Sequence, residues 1–188
     1  ILYDHSGNGN HGTIHGATWV FDYTLDLHSG ANLKSFYALP EDTSVDSMMS
    51  SLGTAITGVI TEGGACSQIS KTNWVGSHCT IHPHHGYWMI TLADDDLTVA
   101  DAIPTDLSLE YTLHAGANLI SFPSDGSAGI SDALPDDVEA YITGIITEGG
   151  AATQISPNNW VGSLNTFDGG KGYWVISSMA VTFSFELE

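Results

Sequence analysis

Basic residues are almost absent from this chain of 188 residues. It has three Lys and no Arg against 22 Asp and Glu, which gives a formal net charge of −19 at pH 7. A surface with that charge repels phosphate backbones and anionic lipid headgroups, so we expect no nucleic-acid partner and no anionic membrane surface. Long apolar runs are also missing: no stretch approaches the roughly 18 apolar residues that a membrane helix needs. We therefore expect no membrane insertion. Charged residues make up only 13% of the chain, which argues against a disordered acidic tail and for a folded protein.

A segment of about 80 residues is written twice, at a constant offset of 86. Residues 27–90 and 113–176 match at 31 of 64 positions without a gap. The identities concentrate in four motifs that begin at Leu27, Ile60, Asn73 and Gly86 and return at Leu113, Ile146, Asn159 and Gly172. Such a period predicts two homologous modules in series. Residues that both copies retain are expected to maintain the fold, whereas residues that only one copy holds are candidates for a special role.

The fold class that we predict is a β-rich α+β protein with two tandem homologous modules, each of roughly five strands and a short helix. Apolar and β-branched stretches predict strands, at 33–36, 56–61, 87–92 and 97–99 in the first copy and at 119–122, 142–147, 173–176 and 181–185 in the second. Apolar spacings of three and four predict helices over 44–56 and 130–142, the second of which is either short or begins at Pro135. The predicted boundaries are a leader at 1–23, modules at 24–100 and 110–188, and a linker at 101–109.

The two cysteines, Cys66 and Cys79, both lie in the first copy, where the second copy has Ala152 and Asn165. Two changes to Cys in one copy favour a disulfide, since each would need the other as its partner. A disulfide suits a secreted protein. The alternative is two independent thiols, one of them a metal ligand.

Histidines supply the first candidate metal site. His78, His82, His84 and His85 lie within eight residues of the first copy and have no histidine counterparts in the second. Imidazole is a common ligand of transition metals, although this spacing matches no recognised zinc motif. A loop of solvated histidines is the alternative.

Oxygen-bearing side chains supply two further metal candidates. Asp4, Ser6, Asn8 and Asn10 alternate as in the first half of a calcium loop, but the bidentate Glu of such loops is missing. A tight turn would explain the same pattern. The run 94–96 of three Asp is a second candidate cation site, with a solvated turn as its alternative.

Aromatic residues near turns are the candidate ligand-binding residues. Trp74 and Trp160, each preceded by Asn73 or Asn159, could stack on the apolar face of a sugar, or could belong to the core. Known catalytic motifs are absent, and the repeated Glu62 and Glu148 have no acid–base partner in the same motif. We expect them to form turn hydrogen bonds, and we expect no enzyme.

The repeat resembles one found in large secreted or cell-surface bacterial proteins. Its marks are Asn-Leu-Ile-Ser-Phe-Pro, Asn-Trp-Val-Gly-Ser and Gly-Lys-Gly-Tyr-Trp-Val, which the second copy carries at 118–123, 159–163 and 170–175. The first copy departs from it at Lys34, Tyr37 and 84–86. The stretch 4–14 is similar to the opening of laminin-G/concanavalin-like lectin domains, but the other strands of such a domain are missing.

This resemblance implies a non-catalytic, extracellular binding or structural module of a larger secreted or surface protein, used in adhesion, carbohydrate contact or spacing. Carbohydrate or another surface protein would be its partner. The candidate cofactor, calcium or a transition metal, follows from the oxygen-bearing and histidine residues above and not from the resemblance. The alternative is a subunit of an extracellular appendage or filament, a homo-oligomer that assembles through edge strands such as 181–185. A metal-binding protein that uses the histidines of 78–85 is a weaker alternative.

Overall fold

The computed structural model describes residues 19–187. The predicted calcium ligands Asp4 and Asn8 and the lectin-like opening lie outside the described residues. No helix within residues 19–187 is long and apolar enough to cross a membrane.

The first half of the chain, residues 19–104, is built mainly from strands. In chain order these are β1 (Phe21–Leu27), β2 (Gly30–Lys34), β3 (Ala38–Leu39), β4 (Ile56–Thr61), β5 (Gly64–Ser70), β6 (Asn73–Gly76), β7 (Tyr87–Thr91) and β8 (Asp95–Pro104). Between β3 and β4 lie the single-turn helix α1 (Val45–Met48) and a 3-10 turn (Ser50–Leu52).

The second half, residues 105–187, follows the same plan. Its strands are β9 (Tyr111–Leu113), β10 (Gly116–Ile120), β11 (Ser127–Gly129), β12 (Ile142–Thr147), β13 (Gly150–Ser156), β14 (Asn159–Gly162), β15 (Thr166–Asp168), β16 (Tyr173–Ser177) and β17 (Val181–Phe183). Two single-turn helices, α2 (Ile130–Ala133) and α3 (Asp136–Glu139), separate β11 from β12.

Each half contains a five-stranded antiparallel sheet, and the two sheets share one strand order. The first runs β2-β7-β4-β5-β6 and the second β10-β16-β12-β13-β14. Their registers correspond, since Leu33 pairs with Trp88 in the first sheet and Leu119 with Trp174 in the second. The other strands form a three-stranded sheet, β1-β8-β3, and the two-stranded ladders β9–β17 and β11–β15. The prediction of a β-rich fold with short helices is confirmed.

The helical segments are shorter than the sequence predicts. The Ser44 hydroxyl caps α1 by accepting the Ser47 N–H at 3.3 Å, but the segment ends at Gly53, whose φ of 57° lies in the left-handed region. In the second half Pro135 divides the segment, because a proline without an N–H cannot continue α2 and instead precedes α3. Each predicted helix is therefore reduced to separate single turns.

The ends of the first half also differ from the predicted boundaries. β8 continues to Pro104, so 101–104 of the predicted linker form a strand, and Ala102 is buried where it pairs with Phe21. Residues 21–23 of the predicted leader belong to β1. The connection between the halves is thereby reduced to 105–110.

A buried asparagine organises the start of each half. The Asn32 amide accepts the His28 N–H at 2.8 Å and donates back to the His28 carbonyl at 2.8 Å, which closes the turn between β1 and β2. Asn118 and His114 repeat both bonds, at 2.8 and 2.9 Å. The turn also requires Gly30, whose φ is 109°. These contacts explain why both copies retain the His-x-Gly-Ala-Asn motif.

Two separate buried clusters form the hydrophobic core, one in each half. The first relies on aliphatic and methionine side chains around Phe36 and Tyr87. The second is richer in aromatic rings, with the Phe185 ring 5.2 Å from Phe122 and 5.1 Å from Phe167. Each half therefore has a core of its own.

Candidate functional site

The four histidines predicted as metal ligands lie on the loop between β6 and β7, but they have different neighbours. His78 bonds the hydroxyl of the preceding serine at 3.0 Å, and His84 packs edge-on against Tyr111 of the second half. His82 and His85 pack against each other, with ring centroids 5.6 Å apart. Within residues 19–187, no group of three or more His, Cys, Asp or Glu side chains is arranged to hold a metal ion. The structure thus brings neither these histidines nor the run 94–96 together as a metal site.

Cys66 and Cys79 form the predicted disulfide, with their Cα atoms 5.1 Å apart. The bond joins β5 to the loop that carries the histidines. In the second half, which has no cysteine, the corresponding loop is held by the β11–β15 ladder and by the buried ring of Phe167. The first half has a shorter pairing at that place, an isolated bridge between Ser44 and Thr80 with two backbone hydrogen bonds beside it, and Ile81 is buried in the position of Phe167. The disulfide therefore adds a covalent link to a loop whose backbone pairing is shorter than in the second half.

The predicted sugar-stacking residues lie on β6 and β14. Trp74 and Trp160 are half-buried and pack against the two cores, while Asn73 and Asn159 are exposed. The Trp160 indole N–H donates to the buried carboxylate of Glu139. The sheets therefore place the asparagines in solvent and turn much of each indole towards the protein.

Two glutamates of the repeated motifs reach across to the opposite half. The Glu62 carboxylate accepts from the His114 ring, at 2.6 Å, and from the Leu119 backbone N–H, at 2.9 Å.

Glu148 repeats this arrangement from the other side. Its carboxylate accepts from the His28 ring and from the Leu33 backbone N–H, the latter at 2.9 Å. Each half thus supplies the glutamate that ties down the other, and we call this arrangement the reciprocal contact.

Both histidines of the reciprocal contact are positioned to donate from both ring nitrogens. In His114, Nδ1 faces the Ala115 carbonyl at 2.8 Å and Nε2 faces the Glu62 carboxylate. Carbonyl and carboxylate oxygens only accept hydrogen bonds, so the ring satisfies both contacts only as the imidazolium. The hydrogen bond to Glu62 accordingly raises the pKa of His114, and the one to Glu148 raises the pKa of His28. The contacts are charge-assisted when the rings are protonated.

Backbone hydrogen bonds join the halves beside each glutamate. They occur in two pairs that are related by the offset of 86 residues. The N–H groups of Ser35, Gly172, Ser121 and Gly86 donate to the carbonyls of Gly170 (3.0 Å), Leu33 (3.2 Å), His84 (3.0 Å) and Leu119 (3.2 Å). The edge of β2 is thereby paired with the second half, and the edge of β10 with the first.

Glycine is required where the halves approach most closely. A Cβ on Gly86 would lie 2.8 Å from the Leu119 side chain and 2.9 Å from the Ile120 carbonyl. A Cβ on Gly172 would lie 2.8 Å from the Lys34 carbonyl and 3.0 Å from the Leu33 side chain. The Gly-Tyr-Trp motif therefore combines a crossing point between the halves with the start of a sheet strand.

The two sides of the reciprocal contact differ in charge. At the Glu62 side, a cleft of about 350 Å³ is lined by His84, His85 and His114, among others. Burial lowers the pKa of His84 and of His85, and the charge of His82 adds to the effect. At the Glu148 side, Lys34 and Lys171 face each other across the strands, so two of the three lysines of the chain lie there. The backbone is thus symmetric, while the side chains around it are not.

The solvent-facing side of each five-stranded sheet carries no charged residue. Because residues directly opposite in register share a face, Leu33, Trp88 and Ile60 lie together on this side of the first sheet. We call these surfaces the outer faces. The first consists of Ala31, Leu33, Gly58, Ile60, Ala65, Ser67, Ile69, Val75, Trp88 and Ile90. The second consists of Ala117, Leu119, Gly144, Ile146, Ala151, Thr153, Ile155, Val161, Trp174 and Ile176.

The outer faces are more alike than the core-facing sides of the same sheets. Nine of the ten outer positions hold the same residue in both copies, with Ser67 and Thr153 as the exception. On the core-facing side, six of ten are identical, counted at Asn32, Ile56, Val59, Thr61, Cys66, Gln68, Trp74, Tyr87, Met89 and Thr91 against their counterparts. Fold stability alone constrains core positions more than exposed ones. The outer faces are therefore the more strictly repeated side of the two sheets.

Sequence reasoning found the disulfide but missed the reciprocal contact. Glu62 and Glu148 were expected to make turn hydrogen bonds, and their partners instead lie in the opposite half. The signal was present, because each copy retains one glutamate and one histidine in fixed motifs. Only the packing of the halves shows that the glutamate of one copy meets the histidine of the other.

Comparison with known proteins does not add to these observations. No protein-family model, no curated protein and no solved structure matches this chain. The function therefore has to be inferred from the reciprocal contact, the disulfide and the outer faces.

Proposed function

We propose that this chain is a non-catalytic structural and binding unit of a larger extracellular protein, and that two homologous modules form the unit together. The reciprocal contact is the observation that carries this proposal. The repeated motifs bind the two halves to each other: Glu62 binds His114, Glu148 binds His28, and Gly86 and Gly172 allow the backbones to cross.

The reciprocal contact is closed. Each half offers the same surface to the other, as in a twofold-symmetric dimer, and both copies of that surface are used within one chain. A third module could not join through it. A longer parent protein with such repeats would therefore carry them as pairs, each pair acting as one rigid spacer or binding unit.

The absence of catalysis and the extracellular location belong to the same proposal. The glutamate and the histidine that both copies retain in their motifs are engaged in the reciprocal contact. The disulfide between Cys66 and Cys79 and the strongly acidic composition suit a secreted or surface protein. Zinc- or copper-loaded protein should turn over no ester, glycoside or peptide substrate, and turnover that depends on His82 and His84 would contradict this part.

Differential scanning calorimetry of the whole chain tests the pairing. If the modules form one unit, unfolding is a single transition whose calorimetric enthalpy equals its van't Hoff enthalpy. Independent modules would instead give two transitions, or one broad transition with a calorimetric enthalpy of about twice the van't Hoff value. Only the first half contains a disulfide, so independent modules should melt at different temperatures.

A further inference from the structure

The outer faces are open apolar surfaces in an otherwise acidic protein. On the first, Ile69 is 67% and Val75 57% exposed, and on the second Ile155 is 64% and Val161 55% exposed. Single exposed apolar residues are ordinary, but a contiguous, charge-free patch of a few hundred Å² is often functional. Each face carries only two side chains that can form hydrogen bonds, a hydroxyl at Ser67 or Thr153 and an indole N–H at Trp88 or Trp174.

The chemistry of these faces fits another sheet better than a sugar. Sugar sites need several convergent polar groups to bind hydroxyls, and the outer faces supply almost none. Rows of Ile and Val beside small Gly and Ala residues are typical of a sheet surface that packs against a second sheet. A charged partner would find nothing on the outer faces to pair with.

The structure already shows what an outer-face residue contacts when it is covered. Leu33 and Leu119 belong to the outer faces, and they are 1% and 2% exposed because the opposite half lies on them. Their partner is another copy of the same module. The exposed remainder of each outer face is continuous with this covered end.

We propose that each outer face is a self-association surface that packs against an outer face of a second copy of this chain. Two chains that carry −19 each repel one another over most of their surfaces, and the outer faces are places where they meet without opposing like charges. Since each chain has two outer faces, association through both produces open-ended oligomers. This goes beyond the proposed pairing of modules within the chain and does not depend on it.

The size of the outer faces makes each contact weak. Each outer face is five strands wide, at about 4.8 Å per strand, and roughly four residues long, at about 3.3 Å per residue. The product is a flat area of about 300 Å² for each face. Stable dimers bury about 800 Å² on each partner. Association should therefore depend on protein concentration. It should strengthen when salt screens the repulsion between the acidic chains.

Sedimentation velocity of the full chain over a range of protein and salt concentrations tests this proposal. We expect the wild-type weight-average mass to exceed twice that of one chain at high protein concentration, and to rise with salt. Ile69→Glu blocks the first face and Ile155→Glu blocks the second. Each single variant keeps one open face, so its weight-average mass should not exceed that of two chains. The double variant should remain monomeric.

Ile103→Glu and Met179→Glu are the controls, because they add the same charge at exposed apolar positions outside the outer faces. They should associate like the wild type. Circular dichroism checks that every variant is folded. If Ile69→Glu or Ile155→Glu is not folded, Val75→Glu and Val161→Glu are used in their place. Wild-type protein that stays monomeric throughout, association that weakens with salt, or a folded double variant that associates like the controls would each overturn the proposal.

Discussion

Glu62 and His114 are 52 residues apart in the chain, yet their side chains meet at 2.6 Å across the boundary between the two halves. The same carboxylate accepts the Leu119 N–H, so one side chain holds both the turn before β10 and the strand itself. Glu148 does the same for the first half. Glu62 and Glu148, both from the repeated Thr-Glu-Gly-Gly turn, thereby join two halves that have separate hydrophobic cores.

Removing either glutamate should weaken the protein as a whole. Glu62→Ala leaves the partly buried Leu119 N–H without its acceptor, which costs about 1–2 kcal/mol of unfolding free energy. Glu148→Ala should cost a similar amount through Leu33. Urea denaturation measures both. Glu41→Ala is the control: its side chain is exposed on the first half, and its effect should be within about 0.5 kcal/mol. Equal effects at positions 41 and 62 would contradict the role of the carboxylate.

Stability should depend on pH through His28 and His114. Both have a raised pKa in the folded protein, so their contribution is fully present below the unfolded value of about 6.5 and is lost as the pH rises through the folded value. Glu148, whose pKa is lowered, limits the effect at the acid end, because its contribution is lost as the pH falls through its folded value. We therefore expect the contribution of the pairs to be largest between about pH 4.5 and 6.5.

The measurement is the free energy of unfolding of wild type minus that of a His28→Gln, His114→Gln variant, at several pH values. His84 and His85 act in the opposite direction, since their lowered pKa disfavours folding as the pH falls below about 6.5. Both proteins contain them, so their effect cancels in the difference. A difference that is the same at acidic and alkaline pH would show that the rings are not bound as imidazolium.

A methyl group at the crossing point should separate the halves. Gly86→Ala places a Cβ 2.8 Å from the Leu119 side chain and 2.9 Å from a carbonyl oxygen that cannot easily move. Overpacking of this kind costs about 1–3 kcal/mol. Gly126→Ala is the control, because the nearest atom to its added Cβ would be a serine hydroxyl at 3.4 Å. Thermal melts compare the two, and equal melting temperatures would be the contrary result.

The disulfide should contribute to the stability of the first half. Its loop spans a sequence separation of 13, for which chain entropy gives about 3 kcal/mol. The variant Cys66→Ala, Cys79→Asn installs the residues that the second half uses, and it should melt at a lower temperature. Thiol titration of the denatured, unreduced wild type should find no free sulfhydryl. Two free sulfhydryls, or an unchanged melting temperature of the variant, would count against the bond in solution.

Local sequence signals predicted much of the fold and little of the site. The strands at 56–61 and 142–147 are found at those positions because β-branched runs end there at glycines. The first helix was overestimated, since its apolar spacing gave no weight to Gly53 as a chain break, whereas Pro135 correctly indicated a short second helix. The cysteine pair was detected because only one copy holds it. Contacts such as Glu62 with His114 depend on how two halves meet, and no pattern within one repeat encodes that geometry.

Native-state amide exchange at Leu33, Leu119, Ser35 and Ser121 tests the pairing of the halves most directly. Each of these N–H groups donates to an acceptor in the opposite half. If the two modules are one unit, these amides exchange only by global opening, as slowly as the core amide of Val59 in the central strand β4. Exchange at these four amides that is orders of magnitude faster than at Val59 would show that the halves separate while each stays folded, and would contradict the account.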